Sequence, residues 1–307
     1  MEHRPFYSAN QYYRELFGEK IYKISLNGGM SCPNRDGTLD TRGCIFCSEG
    51  GSGDFAPSSS MDIKSQIDEA IGLVSSKYNG NKYIAYFQAF TNTYAPAGRL
   101  REIFYQAVHD TRIVGLSVAT RPDCLEQEKI ELLYEINRVK PVWVELGLQT
   151  IDEDVAAYIR RGYSLDVYED AVTRLKAAGI PVITHIIIGL PGVTHDIHLA
   201  YATYLAKSNP HGVKLQLLHI LQNTDIAKDY MEHHFEVMTR EEYISTVVDM
   251  IELLPPDTVI YRITGDGPRK LLIAPMWSTD KKNILNSINR EFRLRNTYQG
   301  KRYNNGG

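Results

Sequence analysis

Residues 31–51 read SCPNRDGTLDTRGCIFCSEGG and place three of the chain's four cysteines, Cys32, Cys44 and Cys47, within sixteen positions. Glycine, aspartate, asparagine and proline punctuate the stretch, so neither a helical nor a strand period fits it. It reads as a loop that gathers thiols. The first twenty residues, MEHRPFYSANQYYRELFGEK, are polar and aromatic without the apolar segment of a secretory signal, and no run of ~18 apolar residues occurs. A cytoplasmic location without membrane contact is therefore expected. In that reducing setting clustered cysteines point to metal binding or catalysis before disulfides.

Outward from the loop, short apolar, β-branched or aromatic runs alternate with longer stretches of helical period. The strand-like runs are 21–29, 82–90, 112–120, 141–150, 180–190 and 212–220, and the spacing predicts helices over 61–77, 98–109, 126–138, 165–178 and 195–207. In RLKAAGIPV (174–182) a glycine and a proline stop the helix before the next strand. Six strands each followed by a helix imply a parallel sheet in an α/β fold. Gln88, Thr120 with Arg121, Glu145, Gln149, Gly189 and His219 fall at strand ends. That is where parallel α/β folds bind ligands, and the cysteine loop follows the first strand onto the same rim.

Charge is uneven. The chain carries net −3, with 43% hydrophobic residues, yet residues 257–307 hold ten Lys/Arg against four acids. This basic tail is either a solvated amphipathic helix or a contact for phosphates.

The thiols admit two metal readings. A structural zinc needs four ligands, and Cys44-Ile45-Phe46-Cys47 is the usual half of such a site. No histidine lies between His3 and His109, however, and Cys124 is 77 residues beyond Cys47. A four-iron cluster held by three cysteines instead leaves one iron open to an exogenous chelator. A three-cysteine loop ending in Cys-x-aromatic-Cys resembles the radical S-adenosylmethionine (radical SAM) enzymes, although C-x11-C-x2-C is longer than their commonest C-x3-C-x2-C. The stretches YFQAFTNTYAP (86–96), ATRPD (119–123), VELGLQT (144–150), RRGYS (160–164), HIIIGLPG (185–192), KLQLLHILQNTDIA (214–227), ITGDGP and LLIAPMW extend the likeness over nearly the whole chain. Together they resemble the elongator-subunit-like and oxygen-independent coproporphyrinogen oxidase-like branch. Within it the chain is most similar to the Gram-positive enzymes of tRNA wobble-uridine modification.

The resemblance implies a partial (β/α)6 TIM-like barrel over residues 21–235, with an N-terminal extension (1–20) and a helical, basic C-terminal extension (236–307). It implies a [4Fe-4S] cluster on Cys32, Cys44 and Cys47, with S-adenosyl-L-methionine on its open iron and a 5′-deoxyadenosyl radical as the oxidant. Gly37 and Gly43 would let the loop fold. Cofactor contacts would come from Phe46, Gln88, Thr91, Asn92, Glu145, Gln149, His185, Gly189, Leu218, His219 and Ile220, with Arg161 pairing the methionyl carboxylate. Lys281, Lys282, Arg290, Arg293 and Arg295 would contact tRNA, flavodoxin or ferredoxin would supply electrons, and a methyltransferase would act downstream. The expected reaction converts 5-carboxymethylaminomethyl(-2-thio)uridine to 5-aminomethyl(-2-thio)uridine. A peptide or small-metabolite substrate, and a non-catalytic metal protein that binds RNA or a partner, are the alternatives.

Several residues carry plainer readings. Glu145 could salt-bridge a neighbouring strand, Arg161 could cap a helix end, and His185 could be a hydrogen-bonded core histidine. Cys124 reads as a small buried residue. His233 and His234 read as a solvated helix face.

Overall fold

The computed structural model describes residues 5–51, 53–78, 80–265 and 267–304. In chain order its elements are α1 (Ala9–Phe17), β1 (Tyr22–Leu26), α2 (Ile63–Val74), β2 (Tyr83–Phe87), α3 (Ala97–His109), β3 (Ile113–Thr120), α4 (Gln127–Asn137), β4 (Val142–Gln149), α5 (Glu153–Tyr158), α6 (Leu165–Ala177), β5 (Val182–Ile188), α7 (His195–Ser208), β6 (Gly212–Leu217), β7 (Ile220–Leu221), α8 (Asp225–Met231), α9 (Arg240–Leu253), β8 (Val259–Arg262), β9 (Leu272–Ala274) and α10 (Lys281–Leu294). The main sheet runs β1-β2-β3-β4-β5-β6-β8, while β7 and β9 form a separate antiparallel pair. All six strands read from the sequence are present. The seventh, β8, pairs parallel with β6 and comes from the segment assigned to the extension. It has only four residues, VIYR, between Pro255-Pro256-Asp257 and a glycine-rich turn, too few to show a period.

The chain divides into two compact units, one of residues 13–147 and 162–183, the other of 1–12, 148–161 and 184–307. In the first, β1 to β4 pair in parallel with Ser25, Tyr86 and Ser117 level across three strands and Glu145 level with Ala119. Every residue of β2 is buried, as both faces of a covered parallel strand require. Tyr13 meets Trp143 edge-on at 5.7 Å at the start of β4.

In the second unit the N-terminal segment adds to the edge of β8, where Ile260 N–H donates to the Tyr7 carbonyl at 2.8 Å. The α9 helix opens with a reciprocal Thr239–Glu242 capping box. Ile284, Ile288 and Phe292, spaced by four, form the buried stripe of α10. Lys281, Lys282, Arg290 and Arg293 lie on its exposed side. Arg295 does not join them. Its guanidinium donates to Glu291 at 2.7 Å, Asp249 at 2.9 Å and Ser245 at 2.9 Å, bracing α10 against α9. His233 and His234 are exposed but lie just beyond the end of α8, with φ +58° at His233, and so are not on a helix face. Among the described residues no helix is long and apolar enough to cross a membrane.

Candidate functional site

The thiol loop follows β1. Gly37 and Gly43 take φ +91° and +77°, conformations that glycine alone adopts without strain. The loop folds back on itself. Pro33 carbonyl accepts from Leu39 N–H at 2.8 Å, and Asn34 carbonyl accepts from Gly43 N–H at 2.7 Å. Cys47 N–H donates to the Cys44 carbonyl at 3.0 Å, closing a turn that sets the two thiols side by side. The Cys47 thiol is pushed well above its ordinary value, first by its hydrogen bond with Cys44, then by burial and by the Cys44 and Cys32 charges, while Arg35 pulls it down. Three half-buried thiols thus share one electrostatic neighbourhood. Asn34 Nδ2 donates to Cys44 Sγ at 3.4 Å.

Among the described residues no three His, Cys, Asp or Glu side chains are disposed to hold a single metal ion. The donor set that does assemble, three thiols with an amide N–H on one sulfur, is of the kind iron–sulfur clusters use. Cys124 stays apart from it: buried, its thiol is pushed up to about 12 by burial and by Asp123, as the plain reading expected.

Next to the loop stands the ATRPD motif. Arg121 is buried, held by Asp123 at 2.9 and 2.7 Å, and lies over the Tyr163 ring at 4.8 Å. The glycine of RRGYS now has a reason. Gly162 has φ +79°, and a β-carbon there would stand 2.7 Å from Asn34 Oδ1 and 3.3 Å from Arg121 Nη2.

Further along the strands, Glu145 is fully buried and its Oε1 accepts from Lys23 Nζ at 2.5 Å and from Ser117 at 2.6 Å. Lys23 also donates to Ser117 at 3.0 Å and sits over the Tyr86 ring at 4.6 Å. The salt bridge named as the plain reading of Glu145 is what the structure shows. Gln88 accepts from Ser25 at 2.8 Å, Phe46 is half-buried, and Thr91 is buried with its N–H on the Ser31 carbonyl at 3.2 Å. Asn92 is wholly buried. Its Nδ2 donates to the carbonyls of Phe87 at 3.0 Å and Ala119 at 2.9 Å, and its Oδ1 has no partner among the described residues. A buried acceptor without a donor is costly in a finished core and is what a ligand contact leaves behind.

In the second unit Gln149 has φ +66° and a buried Oε1 that likewise finds no partner among the described residues. Arg161, 1% exposed, donates to the carbonyls of Leu148 at 3.2 Å and Thr150 at 2.7 Å and to Glu153 at 2.9 Å. It ties the end of β4 to α5. The guanidinium expected to pair a carboxylate is turned here to the protein's own acceptors. His185 Nδ1 lies 3.4 Å from Gln216 Nε2, and Gln216 accepts from Arg262 at 3.4 Å, a polar row across β5, β6 and β8. Gly189, φ +88°, donates its N–H to His198 Nε2 at 3.1 Å. Burial lowers His198 to about 4, so the imidazole is neutral and can accept. Leu218 and Ile220 are buried, the latter paired with Ala274. His219 lies against a glycine strip: a β-carbon at Gly265 would fall 2.5 Å, and at Gly267 2.7 Å, from its ring. Asp266, between them, is outside the described residues.

Sequence reasoning missed Lys23, Asn34, Arg35, Ser117, His198 and Gln216. Only Lys23 carried a signal, a charge set between apolar residues in IYKISL.

The radical SAM superfamily matches residues 41–202, and the radical SAM C-terminal domain matches 210–293. The chain belongs to the radical SAM superfamily, whose cofactors are a [4Fe-4S] cluster and S-adenosylmethionine. It is 43% identical to the uncharacterized protein YtqA of Bacillus subtilis over 96% of this chain and 92% of that one, and 35% identical to protein YhcC of Escherichia coli over 86% and 85%. A more distant stretch, 27% identical over 58% of this chain and 39% of the relative, matches a protein named tRNA uridine(34) acetyltransferase from Dehalococcoides mccartyi. Among solved structures, the archaeal Methanocaldococcus infernus Elp3 superposes with a TM-score of 0.68 at 17% identity, over 91% of this chain and 65% of that one. At that identity the likeness shows the fold, a partial TIM-like α/β barrel.

Proposed function

We propose that Cys32, Cys44 and Cys47 hold the cluster and that the enzyme acts on tRNA wobble uridine, converting 5-carboxymethylaminomethyl(-2-thio)uridine to 5-aminomethyl(-2-thio)uridine. The observation that carries the cluster assignment is the loop's donor set: three thiols in one neighbourhood, with the fourth cysteine buried elsewhere at a raised pKa. The orphan Asn92 Oδ1 is the acceptor we assign to S-adenosylmethionine in the first unit, with Gln88, Thr91, Phe46 and Glu145 as further contacts. Gln149, His185, Gly189, Leu218, His219 and Ile220 are the candidates of the second unit. When bound, the cofactor pair supplies abstraction of a hydrogen atom. The substrate methylene between amine and carboxylate suits that chemistry, since a radical there is stabilised by donor and acceptor together. Loss of the amine proton and of a further electron, taken up by the oxidised form of the one-electron carrier that serves the enzyme, would give the imine, and water would release the two-carbon fragment as an aldehyde acid.

The tRNA reading is supported by the relative named for uridine-34 chemistry and by the exposed cations Lys281, Lys282, Arg290 and Arg293 on α10. Cytoplasmic location, a flavodoxin or ferredoxin donor and a downstream methyltransferase belong to the same proposal. Nucleosides from tRNA of a deletion strain, separated by mass spectrometry, test it. Accumulation of the carboxymethylaminomethyl nucleoside with loss of aminomethyl and methylaminomethyl forms is expected; an unchanged wobble profile refutes the substrate.

A further inference from the structure

One of the two arginines of the thiol loop has a role that its cysteines do not explain. Arg35 stands three residues after Cys32, and its guanidinium crosses the loop to donate to the carbonyls of Cys47 at 3.1 Å and Ser48 at 2.6 Å. It passes directly under Gly43, where a β-carbon would fall 2.8 Å from Arg35 Nε, and its charged carbon lies 5.7 Å from the Phe90 ring centre. All of these partners are neutral. Among the described residues Arg35 makes no ion pair, unlike Arg121, whose charge is spent on Asp123. Arginine does not lose its proton, so one uncompensated positive charge stands on the Cys47 side of the three thiols.

We propose that Arg35 is a positioning residue whose unpaired charge favours the reduced, more negative state of the cluster, a reading that rests on the assignment of Cys32, Cys44 and Cys47 as its ligands. Reduction adds an electron to a group already surrounded by thiolates, and a cation fastened to the backbone carbonyl of one of the ligand cysteines in a half-buried site lowers that cost. The two carbonyl bonds keep the guanidinium from turning to solvent.

The test is an anaerobic potentiometric titration of the reconstituted protein, followed by the electron paramagnetic resonance of the reduced cluster, with iron and sulfide measured on each sample. Arg35→Gln keeps a donor for the carbonyls and removes the charge; Arg35→Lys keeps the charge and loses the fork. At a fixed potential near the wild-type midpoint, Arg35→Gln should lower the reduced-to-oxidised ratio about tenfold, ~59 mV for one electron, while Arg35→Lys stays within about twofold. If Arg35→Gln fails to retain iron, Arg35→Lys with iron and potential preserved still supports the charge. Equal shifts in both variants, or none in Arg35→Gln, overturn the proposal. Wild-type protein that takes up no four-iron cluster refutes the ligand assignment instead, and iron content separates that case from the others.

Discussion

Replacing Lys23 by Met tests whether the polar layer inside the first unit is structural. The Glu145 side chain has no solvent exposure and that of Lys23 has 19%, so Lys23 and Ser117 contribute to the compensation of the carboxylate. Removing one partner of a buried pair commonly costs about 3–5 kcal/mol, because the remaining charge keeps its desolvation penalty. Ser117 remains as a donor and water can reach the Lys23 end, which places Lys23→Met near the lower figure, ~3 kcal/mol. With an unfolding entropy of roughly 2 cal/mol/K per residue, a chain of 307 residues would lose about 5 °C in melting temperature. Calorimetry on Lys23→Met, Glu145→Leu and the double variant closes the cycle. The double variant should recover most of the loss, with a coupling of about 2 kcal/mol. A loss below about 1 kcal/mol in Lys23→Met, or single effects that simply add, would show that the pair is not coupled and that Glu145 is compensated elsewhere.

Alanine at Cys32, Cys44 or Cys47 should each abolish four-iron stoichiometry and the charge-transfer absorbance, whereas Cys124→Ala keeps both; iron loss in the latter would mean a four-cysteine site. Burial holds His198 at about 4 against an ordinary 6.5, so the unfolded chain takes up a proton that the folded one refuses. Stability should therefore fall as pH drops from about 6.5 towards 4, by up to ~3 kcal/mol from this residue. His198→Gln, which keeps an acceptor for Gly189 N–H, should remove that share of the slope while His211, also lowered to about 4 by burial, keeps its own. Glutamate at Lys281, Lys282 and Arg293 together should flatten the salt dependence of tRNA affinity by roughly one unit per lost phosphate contact, and binding that ignores salt would remove these cations from the interface.

The fold was legible because its six longer strands are apolar runs punctuated by helices, and burial on both faces writes that pattern directly. β8 escaped because four residues between turns carry no period. The site was legible only where chemistry is local: the three thiols announce themselves, and Gly37 and Gly43 are marked by the turn they make. Asn34 and Arg35 look like ordinary loop residues until the loop closes on Cys44 and Cys47. Arg161 shows a related limit: it stands beside Arg160 just after α5, and nothing in RRGYS shows that it donates to the Leu148 and Thr150 carbonyls and to Glu153. His198 gave no signal because its task, accepting one N–H from Gly189, depends on how α7 packs back on the end of the strand just before it.

The eleven-residue gap between Cys32 and Cys44 follows from the same closure. Asn34 carbonyl and Gly43 N–H, nine residues apart in sequence, meet at 2.7 Å, so the segment between them forms a nearly closed ring and the chain re-enters beside its point of departure. Cys44 therefore starts where it would after a much shorter connection, and the insertion does not separate the thiols. Arg35 makes the ring more than a detour, because it leaves at the neck and fastens the carbonyls of Cys47 and Ser48 on the far side. Gly43 is the residue that permits this, since its φ of +77° turns the chain and its missing β-carbon leaves the space that the guanidinium stem occupies. A count of intervening residues measures contour length, whereas thiol placement depends on where the ring closes. The long spacing and the compact donor set are for that reason compatible.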